Sequence, residues 1–182
     1  MSVLGFGCMR LPKLYEGRQD IDYDKAQKLI DYAYEHGVNY FDTAYLYHEG
    51  GSETFIGHAL KKYERSSFYL ASKMPTWLVK SEEDVERYFS EQLLKCQVDY
   101  FDFYLVHGLN GFKFDICKKY HIYDILKKKK EEGKIRYLGF SFHDKPEKLE
   151  EIIETYEWDF AQIQLNYLDW ELQDAKRQYR CV

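Results

Sequence analysis

The stretch VNYFDTAYLYHEGGSE, Val38 to Glu53, opens as an apolar strand and ends as a polar loop. Asp42 follows directly on Tyr40 and Phe41, and Tyr45, Tyr47 and His48 come soon after. Aspartate is disfavoured in strands and costly to bury without a partner. A carboxylate that closes a strand therefore needs a cation from elsewhere in the chain, or else it marks a plain polar turn. Upstream, DYDKAQKLIDYAYEHG carries Ala26, Leu29, Ile30 and Ala33 at helical spacing and stops at Gly37, a C′ glycine. Downstream, SETFIGHALKKY reads as a short helix with Ser52 as N-cap. Helix, strand and helix in succession are the units of a parallel sheet.

The same alternation runs through the chain. SVLGFG, VNYFD, FYLASK, YFDFYLVHG, IRYLGFS and FAQIQLNY read as strands. Between them SEEDVERYFSEQLLKCQ is a helix with Ser81 and Asp84 as a capping box, and IYDILKKKKEEG is a helix closed by Gly133. KPEKLEEIIETY takes Asp144 as N-cap with Pro146 in its first turn, and LQDAKRQY begins a last helix. Strands that are apolar without strict alternation have both faces covered. The pattern predicts a doubly wound sheet or a (β/α) barrel. The first junction, GFGCMRLP, is not GxGxxG and leads into no helix, which weighs against a dinucleotide-binding Rossmann fold.

The bulk properties narrow the class. A chain of 182 residues is one domain, 1–182, with 45% hydrophobic and 31% charged residues, an ordinary globular balance. A net charge of −5 gives no nucleic-acid footprint. No apolar run reaches the ~18 residues of a membrane span. Cys8, Cys96, Cys117 and Cys181 show no pairing rhythm, and the start lacks a signal-peptide layout, so the cytoplasm is expected. The run Lys127–Lys130 lies beside Glu131 and Glu132 and reads as a solvated helix face.

The strand ends carry the chemistry. Successive strands close on Asp42, Lys73, His107 and Ser141, and the sixth bears Gln162, Gln164 and Asn166. In a parallel sheet these ends share one rim, where barrel enzymes hold their reactive groups. Lys73 is then the cation for Asp42. A phenol is a poor proton donor near neutrality, and an ammonium beside it stabilises the phenolate. Lys73 can serve Tyr47 in this way, with Asp42 orienting the lysine, while a neutral His107 hydrogen-bonds a substrate carbonyl. Taken singly, each has a plainer reading: Asp42 as turn former, Lys73 as a rim lysine, His107 as a core histidine, and Tyr45 as a rival of Tyr47. Their conjunction at consecutive strand ends favours function. A metal site from His48, His107 and His143 lacks any close ligand pair, and none is expected. Cys8 reads as a small apolar residue.

GFGCMRLP, GVNYFDTAYLYHEGGSE, ASK, DYFDFYLVHG, EEGKIRYLGFS and QIQLNY together resemble the aldo-keto reductases over nearly the whole chain. The resemblance implies a (β/α)8 TIM-type barrel reducing aldehydes and ketones with NADPH, or NADH as the alternative. Its D-T-A-x-x-Y pattern selects Tyr47 over Tyr45 and implies an Asp42, Tyr47, Lys73, His107 tetrad. It further implies cofactor contacts from Gly7, Cys8, Met9 and Arg10 on the first loop, and from Ser141 and Gln164 toward the nicotinamide carboxamide. Relatives often continue Tyr-Gly after the pattern, so His48 is expected to alter the substrate mouth. A full barrel takes ~250 residues, and only about six of eight βα units are present here. Two readings follow: a carbonyl reductase, or a truncated barrel that is catalytically inactive and is either an interaction module or a broken gene product. The first and sixth strands would be open edges, and pairing of two copies as a homodimer is expected there.

Overall fold

Short-range signals define each βα unit. In the computed structural model, which describes residues 1–168, 170 and 175–182, helix α1 (Tyr23–Glu35) starts where the Asp22 carboxylate accepts the Lys25 amide at 3.1 Å. It ends at Gly37, whose φ of +88° suits glycine. Strands β1 (Phe6–Gly7), β2 (Tyr40–Asp42), β3 (Tyr69–Met74), β4 (Phe101–Leu109), β5 (Ile135–Phe142) and β6 (Phe160–Ile163) pair in parallel and in chain order. Helices α2 (Gly51–Leu60), α3 (Glu82–Cys96), α4 (Gly111–Lys119), α5 (Ile122–Glu131), α6 (Pro146–Thr155) and α7 (Ala175–Cys181) complete the order. The six strands form a curled half-barrel of the TIM type.

Period-two alternation gives the sheet two unlike faces. Phe41, Leu70, Tyr104, Val106, Leu138 and Phe140 are buried in the main hydrophobic cluster, together with Ile30, Phe55, Ile56, Phe89 and Leu126 from the helices. Burying each such side chain contributes about 1.5–3 kcal/mol. The concave face begins with an aromatic layer. Tyr40, Tyr69, Tyr137 and Phe160 all approach Phe103, with ring centroids 5.0–6.0 Å apart. Gly139 makes room for it, since a Cβ there would fall 2.4 Å from the Phe160 carbonyl oxygen and 2.7 Å from its ring. Further along the same face come Asp42, Lys73, His107 and Ser141, the last paired in register with Gln162.

Several local expectations are corrected. Only Phe6 and Gly7 of SVLGFG join the sheet. Ser52 lies inside α2 and bonds Thr43 Oγ1 at 2.8 Å and the Cys8 carbonyl at 3.2 Å, because Gly50, at φ +92°, is the residue preceding the helix. Asp144 does not cap α6, where Lys145 precedes Pro146; its Oδ2 accepts the Gly111 amide at 2.9 Å at the start of α4, whose N-cap is Asn110. Helix α4 itself has no counterpart in the sequence reading. Residues 172–174 of the expected last helix lie outside the described residues. The Lys127–Lys130 run, expected as a solvated face, is half-buried except at the exposed Lys128; Lys129 lies 2.9 Å from Glu86 and Lys130 2.6 Å from Asp159. No helix among the described residues is long and apolar enough to cross a membrane.

Candidate active site

Lys73 emerges at the end of β3 with its side chain only 3% exposed. Its ammonium donates to Asp42 Oδ1 at 2.5 Å, to the Thr43 carbonyl at 2.8 Å and to the Tyr47 hydroxyl at 3.4 Å. Three oxygens around one ammonium satisfy its three donors. Asp42 Oδ2 is buried without a hydrogen-bond partner. Burial raises the Asp42 carboxyl above the ordinary range, against the pull of Lys73.

Tyr45 is excluded by geometry. Its hydroxyl donates to Glu91 at 2.8 Å and its ring lies 4.0 Å under the Lys95 ammonium, on the helix side of the sheet. Tyr47 faces the cleft. Its ring meets the His107 ring edge-on at 6.0 Å, and Trp77 packs on His107 at 5.1 Å. Burial, then Lys73, Lys113 and His143, push the His107 imidazole down to about 3, so it is neutral at physiological pH. His107 Nδ1 is a buried atom without a partner.

His48 does not reach the substrate mouth. It is buried, with Nε2 accepting the Leu11 amide and Nδ1–H donating to the Gln19 carbonyl, both at 3.0 Å. It adopts φ +54°, as does Glu49, a conformation that costs non-glycine residues free energy. The two bonds tie the loop carrying Tyr47 to the segment after β1.

A cleft of about 210 Å3 is lined by Met9, Tyr47, Lys73, His107, Ser141, His143, Gln162, Ile163 and Gln164. The expected cofactor contacts divide. Met9, Ser141 and Gln164 line this cleft; Cys8 is fully buried, and Gly7 and Arg10 are exposed outside its lining. Ser141 Oγ accepts the Gly108 amide at 2.7 Å, which leaves its proton to donate. His107, the Ser141 hydroxyl and the two glutamines, all in the cleft lining, offer a carboxamide and a carbonyl both donors and acceptors. These groups fit a nicotinamide ring with a small substrate. The volume falls below the ~300–1,000 Å3 usual for a complete ligand pocket.

Behind Lys73 lies a buried network that the sequence reading missed. Gln92 Nε2 donates to Glu53 at 2.5 Å, to Ser72 at 2.9 Å and to the Lys73 carbonyl at 3.1 Å, and Tyr104 donates to Gln92 Oε1 at 2.5 Å. It fixes the backbone of the strand end that presents the ammonium. Gln92 was visible in principle. It is the polar member of the otherwise apolar stripe Val85, Tyr88, Phe89, Cys96.

The sequence profile of the Aldo/keto reductase family matches residues 3–180. The chain belongs to the aldo/keto reductase family. It is 31% identical to the probable aldo-keto reductase 1 of Glycine max over 78% of this chain and 41% of that protein. It superposes on aldo-keto reductase AKR11C1 from Bacillus halodurans in its holo form with a TM-score of 0.73 and 28% identity, covering 96% of this chain and 59% of that one. The aldo-keto reductase from Klebsiella pneumoniae in complex with NADPH gives a TM-score of 0.67 at 26% identity, covering 84% of this chain and 49% of that one. The chain thus spans less than half the length of the curated relative and half to three fifths of these solved structures.

Proposed function

We propose that this aldo/keto reductase chain reduces an aldehyde or ketone, with Tyr47 donating the proton to the carbonyl oxygen. NADPH, when bound, supplies the hydride. Support comes chiefly from one arrangement: the Lys73 ammonium sits between the Asp42 carboxylate at 2.5 Å and the Tyr47 hydroxyl at 3.4 Å. As the proton leaves Tyr47, that ammonium stabilises the phenolate left behind. Asp42 keeps the lysine in place. His107, neutral, orients the substrate oxygen, since a charged imidazolium beside Lys73 would be opposed by both burial and charge. Ser141, Gln162 and Gln164 hold the carboxamide of the nicotinamide. The NADPH-bound relative supports that cofactor, and NADH is the alternative. The free thiols suit a cytoplasmic setting.

Incubation with NADPH or NADH and a panel of small aldehydes and ketones tests the proposal. The expected result is carbonyl-dependent loss of reduced cofactor with one alcohol formed per cofactor consumed. Cofactor binding without turnover across the panel would contradict it.

The second reading, a non-catalytic half-barrel serving as an interaction module, draws on one observation. Among the described residues the sheet ends at β1 and β6, with no strand paired beyond either. A second copy paired there is the simplest partner.

A further inference from the structure

Lys113 stands on the first turn of α4, half-buried; neither it nor Trp77 is among the residues that line the cleft, which its ammonium approaches past Gly108 and His143. Its ammonium lies 4.8 Å from the centre of the Trp77 ring, the same ring that packs on His107 at 5.1 Å. A Cβ on Gly108, the residue after His107, would come within 3.1 Å of Lys113 Nζ and 3.8 Å of the His143 ring. Gly108 has φ +61°, and the absent side chain leaves this approach open. Among the described residues Lys113 forms no ion pair with any carboxylate, and burial alone acts on its ammonium, lowering its pKa. Lys118 on the same helix differs, lying 3.1 Å from Asp115 and 3.8 Å from Glu151. A cation partly withdrawn from water with no counter-charge is costly unless an anion arrives to meet it.

We propose that Lys113, seated over Trp77 beside His107, is the anion-binding residue of this site and selects carbonyl substrates that carry a carboxylate. This rests on the reductase reading given above. The cation approaches Gly108, the residue that follows the histidine assigned to orient the substrate oxygen, which suits a short spacer between carbonyl and carboxylate. It sits on the β4 flank, whereas the groups assigned to the nicotinamide belong to the ends of β5 and β6. Trp77 supplies an apolar wall for the spacer and a cation–π contact that holds the ammonium when no anion is bound.

The test compares 4-oxobutanoate with butanal, which share a chain length and differ in the carboxylate. The ratio of their kcat/KM values is measured for the wild type, Lys113→Met and Lys113→Arg. A charge-assisted contact is worth roughly ten- to hundredfold in that ratio. The wild type should favour 4-oxobutanoate, Lys113→Met should lose the preference, and Lys113→Arg should keep most of it. A ratio unchanged in Lys113→Met, or an effect of that variant confined to NADPH affinity, would overturn the assignment. A second readout needs no turnover: the indole N–H resonance of Trp77, assigned with Trp77→Phe, is followed as succinate is added. A shift that saturates in the wild type and is lost in Lys113→Met supports the anion site even if neither aldehyde is reduced, in which case only the reductase reading fails. The same shift in both proteins would overturn the anion site.

Discussion

The Lys73 ammonium lies 3.4 Å from the Tyr47 hydroxyl, across 26 residues of chain. The strand β3 holds one and a loop after β2 holds the other, and Asp42, at the end of β2, closes on the far side of Lys73 at 2.5 Å.

Replacement of Lys73 exposes both roles of this contact. Lys73→Met removes the charge that stabilises the phenolate and leaves Asp42 unpaired. Reductase activity should fall by about 10²-fold or more, and urea denaturation should show a loss of about 3–5 kcal/mol. The double variant Asp42→Asn/Lys73→Met should recover much of the stability and none of the activity. Recovery of both would mean that the pair is only structural.

His107 should not titrate in the physiological range. Burial and its cationic neighbours bring it to about 3, whereas an unfolded histidine titrates near ~6.5. Between those values the unfolded chain takes up a proton that the folded imidazole refuses. Its contribution to stability is therefore intact above ~6.5 and declines as the pH falls toward 3. The His107 ring resonances should stay constant between about pH 5 and 8. A titration centred near ~6.5 would show an imidazole far more hydrated than this site allows.

His48→Gly tests the clamp on the Tyr47 loop. Glycine relieves the φ of +54° but deprives the buried Leu11 amide of its acceptor, a cost of about 1–3 kcal/mol. The two effects oppose, so global stability should change little. Hydrogen exchange at Leu11 should accelerate by more than about tenfold. Unchanged protection there would show that the two bonds do not restrain the loop.

Gly57→Ala should separate two helices. A Cβ at Gly57 would lie 2.6 Å from the backbone of Lys95 and Cys96, where α2 crosses the end of α3. Backbone cannot yield as a side chain does, so a loss of about 1–3 kcal/mol is expected, lowering Tm by about 2–4 °C per kcal/mol. Thermal melting checks it, and an unchanged Tm would place the helices further apart than described.

The order of strands and their parallel pairing were legible because each apolar run ends at a helix signal and each helix at a glycine or a cap. The rim was legible because Asp42, Lys73, His107 and Ser141 close successive strands. Other features depend on distance in the chain. Asp144 serves α4 across 33 residues rather than its own helix. The ring layer around Phe103 requires the register of β2 to β6. Nothing local to Lys113 or Trp77 marks them as neighbours of His107. His48 looked like a rim residue because it follows Tyr47, yet a left-handed turn directs it inward, to the segment after β1.

The central claim is that Tyr47 delivers the proton. Tyr47→Phe removes one hydroxyl and leaves the ring beside His107 and the Lys73–Asp42 pair in place. Steady-state reduction of an accepted aldehyde should fall by about 10²-fold or more, with cofactor affinity, measured by fluorescence, essentially unchanged. Activity retained within about twofold would contradict the account.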